Sequence, residues 1–407
     1  MTAPVEWREQ PGSLGPAVTV EDGRAADSLR ARLLDHPLSL YYLLAGATLL
    51  LLALGLVMVW SASAIESIKI FGSPYELAGR QLLFAGIGVV GMLVASRLPP
   101  TWFARTAWLA LIIAVVLLVL VLLVGRSVAG QRNWIELFGP FRFQPSEVAK
   151  LALVVWSANL LARKDMLLDR WSHLLLPLLP VTGLLMVLVL AEGDFGNALV
   201  LGLIAAGVLF VAGAPLRLFA GLAALAGLGV VALSLAAPYR LERFSAWLDP
   251  AADRLDGGWQ LMQGTYALGT GGWWGVGLGA SREKWGSLPE AHTDFILPVI
   301  GEELGLVGTL LVLALFAVLG IAAFRLARGS ADRFTQLAAA GVGSWILAQA
   351  VVNIGGVLGL LPITGVPLPL VSYGGSSLIP VLLALGMLMA FARRAGRAAR
   401  PGAPAER

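Results

Sequence analysis

Asp294 closes a short polar run, Leu288-Pro289-Glu290-Ala291-His292-Thr293-Asp294, and directly precedes an apolar stretch that opens with Phe295-Ile296. A carboxylate in this setting, with Glu290 and His292 close by, could take a proton as a general base. The same position also suits a plain helix N-cap, and residue types alone leave both readings open. A second run is Phe141-Arg142-Phe143-Gln144-Pro145-Ser146-Glu147-Val148-Ala149-Lys150. Pro145 suits the first turn of a helix, which puts Glu147 and Lys150 on one face at i,i+3. Arg142, Lys150 and the helix start could together hold a phosphate group. The alternative is an ion pair whose lysine snorkels to the membrane surface. A third group joins Asn353-Ile354-Gly355-Gly356, Leu361-Pro362-Ile363-Thr364-Gly365 and Ser372-Tyr373-Gly374-Gly375-Ser376-Ser377. Its hydroxyls and amides, Ser372 and Ser376 among them, could line a cavity for a polar head group or merely form a re-entrant connector.

The elements that must carry these residues are membrane spans. Only 13% of the 407 residues are charged and 58% are hydrophobic, against roughly 25% charge in an ordinary soluble domain. Mean hydropathy is +0.81. A span needs about 20 mostly apolar residues. Apolar runs fit Leu40–Trp60, Gln81–Ser96, Thr106–Gly125, Ser146–Ala162, Ser172–Ala191, Phe195–Leu216, Leu218–Tyr239 and Phe295–Phe324. The uncharged stretch Phe334–Ala392 holds two more, divided by the Pro/Gly-rich segment Leu361–Gly375. The expectation is an all-α, polytopic integral membrane protein of about ten transmembrane helices. A polar tail of residues 1–39, without a cleavable leader, precedes a membrane domain of residues 40–392, and a basic tail of residues 393–407 follows it.

Most of the 29 Lys and Arg residues fall on the side of the two tails, as in Arg24, Arg30, Arg32, Arg393, Arg394 and Arg397. The bias predicts that both termini are cytoplasmic. It also explains the basic C-terminus as an anchor near anionic lipid, with no need for nucleic acid. A large extracytoplasmic loop, residues 240–294, is then expected between helices 7 and 8. It contains Trp247, Trp259, Trp273, Trp274 and Trp285, and its glycine-rich part, Gly257–Ala280, reads as lying on or dipping into the membrane. Glu302 and Glu303 fall inside the next span, where adjacent carboxylates require partners. Glu192-Gly193-Asp194-Phe195-Gly196 reads as a solvated outer turn. The chain has no cysteine, which excludes disulfides, thiolate zinc sites and cysteine nucleophiles. The glycines of 269–279 include no Gly-Lys-Ser/Thr, so no nucleotide loop is implied.

Taken in series, Asn133-Trp134-Ile135, Arg142-Phe143-Gln144-Pro145-Ser146-Glu147, Pro289-Glu290-Ala291-His292-Thr293-Asp294-Phe295, Gly301-Glu302-Glu303-Leu304-Gly305 and Ser372-Tyr373-Gly374-Gly375-Ser376-Ser377 resemble the shape, elongation, division and sporulation (SEDS) family of bacterial cell-wall polymerases. Ala291 is closer to the division branch than to the elongation branch. The resemblance covers residues 40–392. It implies a peptidoglycan glycosyltransferase of the bacterial cytoplasmic membrane at the division septum, polymerising lipid II. The family's essential aspartate falls on Asp294, and its basic residues fall on Arg142 and Lys150. Gln144, Glu147, Glu290, His292, Ser372 and Ser376 are expected around the substrate. No resident metal is implied, although magnesium or manganese could accompany the diphosphate. A class B penicillin-binding protein transpeptidase and other divisome membrane proteins are the implied partners. The rivals are a lipid II flippase and a non-catalytic scaffold. Glu192 and Gly193 depart from the Gln-Pro common in relatives. Gly286-Ser287 carries no acidic residue where some relatives have one.

Overall fold

The computed structural model describes residues 38–128, 131–138, 141–167, 171–235, 247, 249 and 257–398. Of the expected loop 240–294, the part before residue 257 therefore lies almost wholly outside the described residues, as do residues 1–37 and 399–407; the start of the expected basic tail, residues 393–398, continues the last helix.

The molecule is a helical membrane bundle. In chain order its helices are α1 (Ser39–Phe71), α2 (Glu76–Ala95), α3 (Pro100–Val124), α4 (Pro145–Arg163), α5 (Trp171–Leu175), α6 (Leu178–Ala191), α7 (Phe195–Ala212), α8 (Leu216–Leu235), α9 (Gly257–Gly271), α10 (Ile296–Gly329), α11 (Arg333–Val357) and α12 (Gly375–Ala398). Among the described residues, eight segments are long and apolar enough to cross a membrane, Ser172–Ala191 counting as one across α5 and α6. The other two places where sequence puts a span are α4 and α8. Helix α4 carries Ser146, Glu147, Lys150, Ser157 and Asn159, all buried, so its polarity belongs to an interior helix that lipid does not touch. Helices α4, α11 and α12 form the centre of the bundle. Trp156 and Trp345 are completely enclosed there.

Two features go beyond an all-helical reading. Three short segments form a small antiparallel sheet in the order β1 (Arg126–Val128), β2 (Gln131–Phe138), β3 (Phe141–Phe143). Ile135 pairs with Phe143 and Glu136 with Arg142. The sheet leads straight into Pro145, whose fixed φ suits the start of α4, so strand pairing sets where Arg142 and Gln144 stand.

The second feature is a break in α10. Gly305 adopts φ 70° and ψ −166° inside the helix, a conformation open to glycine alone. The backbone groups freed by the break are taken up by the turn that follows α9. Leu306 N–H donates to Gly272 O at 2.9 Å, and Val276 N–H donates to Glu302 O at 2.9 Å. Non-helical backbone at membrane depth is tolerated only when protein satisfies it in this way. A Cβ on Gly305 would meet Gly275 N at 2.4 Å, so the contact is one that glycine alone permits. Helix α9 and the turn after it thus run down along α10 as a re-entrant hairpin.

The carboxylates of Glu302 and Glu303 both point inward and both find partners. Glu303 accepts from Ser61 Oγ and from Lys284 Nζ at 2.9 Å. Glu302 accepts from Ser281 Oγ and from Arg282 N–H at 2.8 Å. The segment returning toward Asp294 is therefore tied to α10 by a buried ion pair.

Candidate active site

Lys150 sits one turn inside α4 and is fully buried. Its ammonium donates to Glu147 Oε1 at 2.8 Å, Asn197 Oδ1 at 2.9 Å and Gln349 Oε1 at 2.9 Å. An ammonium has three protons, and all three are spent. The expected direct contact between Lys150 and a phosphate is not met by this geometry. The snorkelling alternative fails as well, because the head group has no path to water. Lys150 instead joins α4, α7 and α11 at one point. Two of its acceptors, Asn197 and Gln349, come from helices distant in sequence.

From Gln349 the network reaches the irregular segment 358–374. Gln349 accepts from Trp345 Nε1–H at 2.8 Å and donates to Pro367 O at 3.0 Å. One turn along α11, Asn353 donates through Nδ2 to Val366 O and to Asp294 O, both at 2.8 Å. The wall that Lys150 holds is thus the wall against which Asp294 rests. A Cβ on Gly365 would lie 3.6 Å from Asp294 Oδ2, which places the carboxylate directly against Thr364-Gly365.

Asp294 is not the N-cap of α10. Phe295 occupies that position and no side chain caps the helix. The turn before it is made by Glu290, whose φ of 53° lies in the left-handed region, uncommon for a non-glycine residue. The Glu290 carbonyl accepts from Thr293 N–H at 3.2 Å and Phe295 N–H at 3.1 Å. Burial pushes the Asp294 carboxyl up to about 7, and the negative charges of Glu290 and Asp194 add to the effect. A carboxylate that titrates near neutrality is well matched to general-base work. His292 is held below its usual value by burial, opposed by Glu290 and Glu66.

Ser372 Oγ donates to Thr293 O at 2.6 Å, and Tyr373 N–H donates to His292 O at 2.9 Å. The His292 and Tyr373 rings stand 5.5 Å apart. The two sequence motifs, around 290–294 and 372–376, are therefore brought into one wall. Ser376 is buried at the start of α12. Arg142 is half exposed on β3, in a long ion pair with Glu136 at 3.8 Å, an exposed contact that a ligand from outside can displace.

Glu192 overturns the solvated-turn expectation. It is 1% exposed, and neither carboxylate oxygen has a hydrogen-bond partner. Its neighbour Asp194 caps α7 through Asn197 N–H at 3.0 Å and accepts from Gln144 Nε2 at 2.8 Å. The β-sheet covers this turn, with Arg132 N–H donating to Glu192 O at 2.9 Å. Burial, then Asp194, pushes the Glu192 carboxyl up to about 9. An acid that is harder to ionise when folded costs stability as pH rises from its unfolded value, near 4.5, toward 9. Glu192→Gln, which carries no charge to bury, should therefore raise Tm more at pH 8.5 than at pH 5. An equal shift at both would show that Glu192 does not titrate in that window.

Asn197 and Gln349 are site residues that motif reading does not reach, whereas Asn353 and Tyr373 belong to the third motif group without a role of their own. Asp194 reads from sequence as part of a solvated turn, and the structure buries it. Asn197 and Gln349 lie in apolar runs, where an isolated amide is the one available signal that something polar is being held inside a span.

The sequence matches the family described as "Cell cycle protein", spanning FtsW, RodA and SpoVE, over residues 41–396. It is 40% identical to the "Probable peptidoglycan glycosyltransferase FtsW" of Mycobacterium tuberculosis over 382 residues, 93% of this chain and 73% of that protein. The fold superposes on a chain from a structure described as "Structural coordination of polymerization and crosslinking by a peptidoglycan synthase complex", with TM-score 0.71 and 32% identity, covering 86% of this chain and 97% of that one. The crystal structure of the rod shape determining protein RodA of Thermus thermophilus is similar with TM-score 0.64 and 30% identity, covering 86% and 96% of the two chains.

Proposed function

The chain belongs to the FtsW, RodA and SpoVE family of cell cycle proteins, and from that premise we propose how it works as a peptidoglycan glycosyltransferase in a bacterial membrane. Its substrate is lipid II, a disaccharide-pentapeptide on undecaprenyl diphosphate. Asp294 takes the proton from the acceptor sugar hydroxyl as that oxygen attacks the anomeric carbon of the donor. The bond to the diphosphate breaks in the same displacement, and the configuration at that carbon inverts. Arg142 stabilises the negative charge that develops on the leaving diphosphate. The observation that carries this reading is the position of Asp294, a carboxylate poised near pH 7 and pressed against an irregular wall within the field of Glu290 and Asp194.

Lys150 and Glu147 act through position. They fix α4, α7 and α11 around Gln349, which fixes the segment on which Asp294 rests. Gln144 serves similarly through Asp194, and Ser372 through Thr293. Glu290, His292 and Ser376 are assigned to the sugar or diphosphate in this reading. Among the described residues no group of three or more His, Asp or Glu is placed to hold a metal ion. Magnesium is commonly bound by one or two carboxylates together with substrate phosphates. A magnesium or manganese ion would come with the diphosphate, with Glu290 as the protein oxygen open to it.

We place both termini in the cytoplasm and the 240–294 loop outside, on the Lys/Arg bias. The protein acts at the division septum beside a class B penicillin-binding protein transpeptidase and other divisome membrane proteins. The test is polymerisation of lipid II by the purified protein in liposomes, with and without the transpeptidase, read as glycan strand length. Strands should form. Transbilayer movement of lipid II with no strand under either condition would instead establish a flippase.

A further inference from the structure

We propose that Arg80 is the second guanidinium of the diphosphate site, standing with Arg142 on either side of Tyr373. The inference rests on the reading above that a lipid-linked diphosphate binds beside Arg142, and it adds a ligand from a different helix.

Arg80 lies in the second turn of α2, at the end of that helix nearest the 290–294 and 372–374 segments. The next residue, Gln81, is buried and grips both sides of Tyr373. Its Nε2 donates to Ser372 O at 3.2 Å, and its Oε1 accepts from Gly374 N–H at 3.1 Å. One helical turn further along, Phe84 lies against the start of α12, where a Cβ on Gly375 would fall 2.2 Å from the Phe84 ring. Residues 80 and 84 share a face at i,i+4. With Phe84 on Gly375 and Gln81 on 372–374, Arg80 is carried to the level of Tyr373. Strand β3, which bears Arg142, also packs on α12. Two guanidiniums from unrelated parts of the chain thus lie near one turn, which leads into the N-terminus of α12, a favourable end for an anion. The Tyr373 hydroxyl feels both. Burial raises its pKa, and Arg80 and Arg142 each oppose the rise.

Arg80 is also held ready. Its side chain is 17% exposed. The guanidinium lies over the Phe71 ring at 4.4 Å, and one nitrogen meets the exposed Glu76 at 3.1 Å. An exposed i,i+4 pair is weak, so Glu76 can yield the guanidinium to a better anion. A diphosphate offers several oxygens in two planes, and the fork of an arginine matches such oxygens in pairs. One arginine can grip one phosphate. Two arginines flanking a hydroxyl can hold both phosphates and distinguish a diphosphate from a monophosphate.

The experiment is inhibition of the purified polymerase by its lipid product, undecaprenyl diphosphate, compared with undecaprenyl monophosphate. Arg80→Gln should weaken inhibition by the diphosphate about 10-fold or more, as expected when a charge-assisted ligand is lost. It should change inhibition by the monophosphate much less, so selectivity between the two falls. Arg80→Lys, which keeps the charge and secures a folded control, should show an intermediate loss. Glu76→Gln should leave polymerisation and inhibition near normal. If Arg80 were only a surface partner of Glu76, the Arg80 and Glu76 variants would behave alike, and the inference would fall. Unchanged diphosphate inhibition in Arg80→Gln, with a clear loss in Arg142→Gln, would overturn the role of Arg80 alone. Unchanged inhibition in both would overturn the placement of the diphosphate itself.

Discussion

Asp294→Asn should reduce lipid II polymerisation to the background of the assay while the protein still folds and inserts. The amide preserves shape and the capacity to accept one hydrogen bond, but it cannot take a proton. The backbone carbonyl of Asp294, not its side chain, makes the bond to Asn353, so the local structure survives the change. Had Asp294 been a helix cap, Asn would replace it with little loss, since Asn and Asp cap about equally well. Near wild-type strand synthesis by Asp294→Asn would therefore remove the general base from the mechanism. A companion measurement follows from the pKa. Asp294 titrates near 7 and works only when ionised, so the wild-type rate should fall as pH drops from 8 to 6. Replacing Glu290 with Gln removes one of the charges that raise Asp294, and should move that fall to lower pH.

Lys150→Met should produce the second large effect, on stability as well as on rate. The substitution leaves the Glu147 carboxylate buried without its cation. Breaking a buried pair from one side costs about 3–5 kcal/mol. It also releases Gln349, so the wall behind Asp294 loses its anchor and the rate should fall by about 100-fold, comparable to loss of a key electrostatic group. The double change Lys150→Met with Glu147→Gln removes both charges together and should recover much of the lost Tm. Gln349 stays released in the double variant, so a positioning role predicts that the rate remains low while inhibition by undecaprenyl diphosphate stays near normal. A Tm that recovers while inhibition by undecaprenyl diphosphate stays weak would make Lys150 a direct ligand after all.

The contrast between these residues shows what a linear reading can and cannot reach. Eight of the expected spans are legible because each apolar run answers to the bilayer alone, one segment at a time. Pro145 announced the start of α4, and Leu361–Gly375 announced a non-helical stretch, which the structure places at 358–374. Lys150 was recognisable as a costly group needing company. Its acceptors were not, because Asn197 and Gln349 are 47 and 199 residues away along the chain and no local pattern links them. Glu192 was misread for a related reason. An acidic turn looks solvated until a strand from elsewhere covers it. The three-stranded sheet escaped notice because its strands are short, and its register is set by pairing more than by alternation. Helix α1 continues to Phe71 although the apolar run ends at Trp60, since a helix that has crossed the bilayer can continue in water on its own hydrogen bonds.

The break at Gly305 bears on biogenesis. A helix entering the bilayer with unpaired amides would be rejected or would straighten, and the interruption would be lost. Here the groups that satisfy Leu306 and Val307 belong to Gly272 and Trp273, which leave the ribosome first. Because α9 and its turn precede α10 in synthesis, the template for the break is already present when the interrupted segment arrives. Residues 257–329 can thus enter the lipid as one hairpin, with its irregular backbone paired from the outset. The order of elements along the gene is the order that lets a discontinuous helix be inserted without ever exposing its gap to hydrocarbon.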